Sequence, residues 1–537
     1  MGYILKRFLL VLGCFVLALG HSIREKRQIS KFVPKDPYHP QPALNEAGEV
    51  LVENRWQHVD AEEENAAFWN SLAQDRLREQ VFRRPNLNVA KNVIFFLGDG
   101  MSIPTYAASR AYMGQQQKLR GEESQLAFDK FPHTGLSKTY CVDRQVADSA
   151  CSATAYLCGV KANYGTIGVT AKVRYNQCGI QADPANQVDS LAAWAQKAGK
   201  STGIVTTARV THASPSGAYA HVANREYECD ADVRTYGHNP AICQDIASQL
   251  VNNRTGTEFK VILGGGRTKF LPNSMQDEQG NAGEREDGVN LIDEWKRKHS
   301  NGVYVYNRKG LLQTDYDRTQ YLLGLFDPSH LQYNLDKTAQ TDQPSLAEMT
   351  EAAIKMLQKD RNGYFVFIEG GRIDHAHHET KARKALDETV EFSKAIDRAI
   401  QLTNREDTLI IVTSDHAHCM SLAGYSFRGT DILGVNSEIS PIDGLPYATL
   451  TYANGPGYRA EQNGRLDLRR QDMTNKDYEY PSLAPLPAET HGGDDVGIFA
   501  LGPQAHLVSG VMEQNVIPHI VAYAACIGDG FTICKKN

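Results

Sequence analysis

Three polar segments in the chain follow directly on apolar runs. Val93 to Leu97 leads into Gly98-Asp99-Gly100, Tyr364 to Ile368 leads into Glu369-Gly370-Gly371-Arg372-Ile373-Asp374-His375-Ala376-His377-His378, and Leu409 to Val412 leads into Thr413-Ser414-Asp415-His416-Ala417-His418. Aspartate oxygens and imidazole nitrogens suit zinc, whereas a glutamate carboxylate with a hydroxyl and waters suits magnesium. Asp374 and His378 are four residues apart, so a helical turn puts both on one face. Asp415 and His416 are neighbours, which in a loop lets them approach one ion from two directions. A lone histidine is ordinarily a surface or hydrogen-bonded residue. Five between positions 375 and 418, each just past an apolar run, point instead to metal chemistry.

Upstream, Asp148-Ser149 opens the Ala-rich stretch Ala150 to Leu157, a good helix former after a capping start. Ser149 would sit in the first turn, where free N–H groups and the helix dipole favour an alkoxide or a phosphate. Taken alone, Asp148 or Ser149 reads as an ordinary cap. Arg209, in Thr206-Thr207-Ala208-Arg209-Val210-Thr211-His212-Ala213-Ser214, follows another apolar run, and its planar guanidinium suits two phosphate oxygens.

The elements that must bring these groups together are short, unalternated apolar runs at 93–97, 203–205, 261–263, 364–368, 409–412 and 496–500. Such runs fit strands of a sheet covered on both faces, with helical patterns such as 345–358 and 386–402 between them. The fold class is α/β: a mostly parallel central sheet with helices on both faces. Strand ends then meet in one crevice, where open α/β folds bind ligands. Residues 421–489 are rich in Gly, Pro, Asn and Asp and read as an inserted, crown-like subdomain.

With 537 residues, 41% hydrophobic and 22% charged, the chain has a globular composition, and a net charge of −6 gives no general attraction for nucleic acid. Residues 1–20 read as a secretory signal, with Lys6-Arg7 before an apolar run. Residues 21–60 read as an extended arm containing a dibasic Lys26-Arg27, and 61–537 as the catalytic domain. Ten cysteines are present; Cys14 leaves with the signal, and the nine that remain imply disulfides and at least one free thiol, with pairing open. Asn253-Arg254-Thr255 is a glycosylation sequon.

Together with Glu489-Thr490-His491-Gly492-Gly493-Asp494-Asp495 and Gly502-Pro503-Gln504-Ala505-His506, these motifs resemble the animal alkaline phosphatases, from about Glu62 to Cys534. The resemblance implies a phosphomonoesterase that works at alkaline pH through a phosphoserine, with two zinc ions and one magnesium. It implies that Ser149 is the nucleophile and Arg209 the phosphate clamp. Asp374, His378 and His491 would bind the first zinc and Asp99, Asp415 and His416 the second, with Asp99, Ser214 and Glu369 on magnesium. His212 and His375 would act through waters, with His418 just outside the second zinc. A calcium site would use Glu278, the Phe326 carbonyl, Asp327 and Asp342. Cys178–Cys243 and Cys526–Cys534 would be disulfides, and Tyr425 of a homodimer would reach toward the other subunit's site.

The sequence departs from the family pattern at Ser102 and Cys151, both usually Gly, and leaves Cys141, Cys158, Cys229 and Cys419 unassigned. Two other readings differ from the phosphomonoesterase: a related two-metal phosphodiesterase, and an inactive secreted binding glycoprotein. The segment after Cys526 lacks the spacer and hydrophobic tail of a lipid-anchor signal and ends Lys535-Lys536-Asn537, so the expectation is a secreted enzyme without a membrane anchor.

Overall fold

The computed structural model describes residues 61–460 and 464–534; the expected signal, the arm and the terminal Lys535-Lys536-Asn537 lie outside them. Eight strands come first: β1 (Asn92–Gly98), β2 (His133–Lys138), β3 (Ser201–Arg209), β4 (Val261–Gly265), β5 (Gly302–Val305), β6 (Tyr321–Leu325), β7 (Tyr364–Gly370) and β8 (Thr408–Thr413). Seven short ones follow: β9 (Ala417–His418), β10 (Met420–Leu422), β11 (Val435–Ile439), β12 (Pro446–Ala448), β13 (Leu450–Gly455), β14 (Ser482–Pro485) and β15 (His491–Gly492). β16 (Val496–Leu501) and β17 (Gly510–Glu513) then complete a ten-stranded sheet of order β17-β2-β16-β8-β1-β7-β3-β4-β6-β5.

All six apolar runs expected as strands lie in this sheet, and β1, β3, β4, β5, β6, β7 and β8 run parallel. β16 is antiparallel to both β8 and β2. Alternate residues of one strand enter different cores: Phe95 and Leu97 pack on one face of the sheet, Ile94 and Phe96 on the other. That two-sided burial is why the strands read as unbroken apolar runs.

Seven helices matter to the site and its surroundings: α1 (Ala66–Phe82), α2 (Ile103–Gln116), α3 (Ser149–Cys158), α4 (Leu346–Leu357), α5 (Arg372–His378), α6 (Ala382–Leu402) and α7 (Val516–Ala525). α2, α4 and α6 contribute to the Ile94 face, α3 and α7 to the Phe95 face. The capping box of Ser345 with Glu348 starts α4 where the spacing predicts a helix. α6 starts at Ala382, a turn earlier than its apolar periodicity marks. Within 421–489, β10, β13 and β14 form one small sheet and β11 with β12 another, both apart from the main sheet.

Register brings the polar strand ends level. Leu97 of β1 pairs with Glu369 of β7 on one side and Thr413 of β8 on the other, so Asp99, Glu369 and Asp415 emerge at one edge. Because β16 is reversed, the segment that enters it comes from this same edge and carries His491. The two-residue β9–β15 ladder sets His491 opposite His418.

Candidate active site

α3 is buried along its whole length and begins at Ser149. Its cap is Asp148, whose Oδ1 accepts from Cys151 N–H at 3.2 Å and Gly165 N–H at 3.0 Å. Ser149 Oγ lies 3.2 Å from His416 Nε2. The hydroxyl therefore sits where a helix N-terminus favours negative charge, facing the polar end of β8.

Around it the ligand atoms form overlapping groups within 4.8 Å: Asp99, Asp415 and His416; Asp99, His212 and Glu369; Asp374, His416, His418 and His491; and His378, His418 and Glu489. Asp415 Oδ2 is 3.0 Å from His416 Nε2 and its Oδ1 accepts from Gly100 N–H at 2.9 Å. Ser214 Oγ donates to Asp99 Oδ2 at 3.4 Å, and Thr206 Oγ1 donates to Glu369. Burial, then the charges of Asp415, Asp374 and Glu369, hold the Asp99 carboxyl well above its usual range. Burial likewise pushes Glu369 up to about 7, with Asp415 adding to it. Asp99 Oδ1 and Glu369 Oε1 are buried without a hydrogen-bond partner. Crowded, unsatisfied carboxylates of this kind call for cations, so the donor set fits metal ions.

On the other side, α5 delivers Asp374 and His378 as the four-residue spacing predicts, with His378 Nε2 3.4 Å from Asp374 Oδ2. His491 Nε2 lies 3.3 Å from Asp374 Oδ1 and 3.1 Å from His378 Nε2. Burial opposes an ionised Asp374, yet the facing imidazoles hold its carboxyl well below the ordinary range. The second nitrogen of each histidine is fixed by a carbonyl: His378 Nδ1 donates to Glu489 O and His491 Nδ1 to Ala147 O at 2.8 Å. His418, expected beside Asp415 and His416, bridges Asp374 at 2.7 Å and Glu489 at 2.5 Å. Burial alone would lower its pKa, but those two carboxylates outweigh it and push it up to about 10.

One expectation is corrected. Arg209 does not face the serine: its guanidinium pairs with buried Glu228 at 2.5 Å and meets the His330 ring. Glu228 is held between Arg209 and Thr211, so the pair is an internal brace beside β3. Arg225 is a cation tied to Asp148, next to Ser149. Its Nη1 donates to Asp148 Oδ2 at 3.1 Å and its Nη2 to His212 Nε2 at 3.1 Å. Arg225 sits past the isolated bridge of Val222 with Ile167, outside any strand, in Asn224-Arg225-Glu226, and was not singled out from sequence.

His375 and His212 pack with ring centres 5.3 Å apart, and His330, a residue not singled out from sequence, lies 4.2 Å from His375. The calcium candidates are engaged separately. Asp327 accepts from Gln343, Glu278 from Tyr304, and Asp342 from Lys309 N–H, while Phe326 is buried at the end of β6. Cys178–Cys243 and Cys526–Cys534 are bonded, and so is an unexpected third pair, Cys141–Cys151. Cys158, Cys229 and Cys419 are free. Asn253 is half-buried at the junction of two short helices, and Tyr425 is 59% exposed.

Residues 90–527 match a family model described as alkaline phosphatase. The chain is 47% identical over 515 residues to a membrane-bound alkaline phosphatase of Bombyx mori, covering 93% of this chain and 91% of that one. It is also 47% identical to the tissue-nonspecific isozyme of Felis catus, covering 89% and 92%, and 46% identical to an alkaline phosphatase of Gadus morhua, covering 87% and 98%. The fold matches the alkaline phosphatase of Thermus thermophilus with a TM-score of 0.57 at 23% identity, covering 82% and 92%.

Proposed function

The chain belongs to the alkaline phosphatase family and is a phosphomonoesterase that uses metal ions, and on that premise we propose how its residues divide the reaction. Ser149 is the nucleophile. The observation that carries this is its hydroxyl at the start of buried α3, 3.2 Å from His416, which itself groups with the Asp99 and Asp415 carboxylates.

Asp374, His378 and His491 would hold one zinc, Asp99, Asp415 and His416 a second, and Asp99, Ser214 and Glu369 a magnesium. Bound there, such ions supply Lewis acidity toward hydroxyl, water and leaving-group oxygens. Ser149 Oγ attacks the phosphorus of a monoester, the alcohol departs, and a phosphoserine remains until water releases phosphate. Arg225 neutralises the non-bridging oxygens, and the N–H groups of the first turn of α3 add to the same field. Asp148 keeps both in place by capping the helix and pairing with the arginine. His418, held between Asp374 and Glu489, fixes Asp374. The crown-like segment 421–489, exposed Tyr425 and the unburied apolar side chains of α1 support a homodimer. No helix among the described residues is long and apolar enough to cross a membrane; secretion is proposed on the signal-like residues 1–20. A calcium ion at Glu278, Asp327, Asp342 and the Phe326 carbonyl rests on the family resemblance alone, since the three carboxylates have separate partners.

Ser149→Ala should lower turnover of p-nitrophenyl phosphate by several orders of magnitude while phosphate and zinc still bind. Quenching the wild type at acid pH with labelled monoester should trap phosphoserine at residue 149. A label elsewhere, or hydrolysis of bis-p-nitrophenyl phosphate in preference to the monoester, would sink the assignment.

A further inference from the structure

The third disulfide lies at the entrance to α3. Cys141 and Cys151 are bonded with Cα atoms 5.8 Å apart, and both are nearly inaccessible, at 2% and 1% exposure. The bond spans a sequence separation of 10 and closes an irregular loop from the end of β2 into the first turn of the helix. Three residues inside that ring reach the active site by different contacts. Ala147 offers the carbonyl that receives His491 Nδ1–H. Asp148 caps α3 and holds Arg225. Ser149 faces His416.

Between its ends the loop runs over the surface, held by polar ties and a small apolar cluster. Tyr140, Val142 and Val146 are exposed at 43%, 53% and 37%. Cys141, Ala147, Cys151 and Ala162 form a small apolar cluster separate from the two main cores. Its further ties include a Val142 N–H bond to Ala162 O at 3.0 Å, a Tyr164 N–H bond to Asp143 at 2.8 Å, a Gly165 N–H bond to Asp148 at 3.0 Å, a Lys161 bond to Tyr140 O at 3.0 Å and the Arg144 guanidinium over the Tyr164 ring. A short covalent ring removes open conformers that such contacts cannot exclude.

We propose that the Cys141–Cys151 bond is a positioning device for phosphoryl transfer. It makes the turn from Ala147 to Ser149 one unit, so that the nucleophile, the residue that aims Arg225 and the carbonyl that selects the His491 tautomer keep a common register. The proposal rests on Ser149 as the nucleophile. A reacting group displaced by ~1 Å loses on the order of 10²-fold in rate, and the partner of a ligating histidine's second nitrogen sets metal affinity by about 10–100-fold.

Peptide mapping of the secreted holoenzyme after alkylation without reduction should find Cys141 and Cys151 joined; free thiols at both overturn the proposal. Cys141→Ser, Cys151→Ala and the double variant should each lower kcat at least about tenfold at 25 °C, weaken inhibition by inorganic phosphate and release zinc faster to a chelator. The three variants should be alike, because breaking one bond twice costs nothing more. A lower melting temperature with wild-type kcat, phosphate inhibition and zinc release reduces the bond to simple stabilisation and overturns the proposal. Rapid-quench labelling separates the levels of inference. A phosphoserine formed slowly at Ser149 in the variants supports the ring's role, one formed at the wild-type rate overturns it alone, and a label elsewhere removes the nucleophile assignment with it.

If the variants do not fold, the wild type is treated with a phosphine in excess zinc and magnesium. The disulfide takes two electrons and two protons to give two thiols while the phosphine, with water, becomes its oxide. Activity should fall in step with alkylation of Cys141 and Cys151; full activity with both alkylated overturns the proposal.

Discussion

Arg225 and Arg209 meet different carboxylates, and that decides their roles. Arg225→Ala should weaken phosphate inhibition and lower kcat/KM by roughly 10²–10³-fold, the loss typical of a donor aimed at developing charge. Arg209→Met should instead strand Glu228, whose side chain is 5% exposed, and cost about 3–5 kcal/mol of stability in denaturant melts while phosphate still inhibits. The opposite pattern would restore Arg209 as the clamp. Glu369 yields a pH prediction. Burial lifts its carboxyl from the ordinary 4.5 to about 7, so the folded chain holds this proton more tightly than the unfolded one. As pH rises from about 4.5 to about 7, the metal-free protein therefore loses stability from this group, about 3 kcal/mol in all. EDTA-stripped Glu369→Gln should show a flatter melting profile over that window than stripped wild type. An equally steep profile would place the pH dependence elsewhere. Asp99, Glu369, Asp374, His378, Asp415 and His416 were legible because each lies just past an apolar run, whereas Ser214 and His491 came only from the family resemblance. Arg225 was not, because it lies in a turn between Asn224 and Glu226, and its partners Asp148 and His212 lie 77 and 13 residues away.

At the scale of elements, the edge of the sheet is set by turns with no room for side chains. Gly100 has φ +65°, and an added Cβ would lie 2.3 Å from His418 Cδ2. Gly100→Ala should lower the melting temperature and zinc affinity together, the latter by about 10–100-fold as the His418 contact to Asp374 is displaced. Zinc titration of the folded variant checks it; unchanged affinity would show that the turn can shift without the histidine. The apolar runs of β1, β3, β4, β7, β8 and β16 announced themselves because both faces are buried. β5, with three of its four residues only half-buried, and β2, with alternating small and polar residues, carry no comparable signal. Nor did apolarity reveal that β16 runs backwards: a strand buried on both sides looks the same in either direction. The Cys141–Cys151 pair was hidden for a related reason, since an odd count of cysteines leaves every pairing open.

For the whole molecule, α1 buries none of its side chains and exposes Trp69, Leu72, Leu77, Val81 and Phe82, while Tyr425, Ile442 and Leu483 stand out from the 421–489 segment. Sedimentation of the holoenzyme at micromolar concentration should give twice the mass of one processed chain, and a fully active single-chain species would refute the dimer. The reversed strand has a further consequence in time. His491 arrives on the segment entering β16, and its partner Ala147 is 344 residues earlier. A ribosome must therefore release nearly the whole chain before the last imidazole of the Asp374 site can dock. Until then the growing polypeptide presents only Asp374 and His378 of the proposed triad. Metal loading becomes a closing event of biosynthesis, and chains truncated before His491 should be metal-poor and inert.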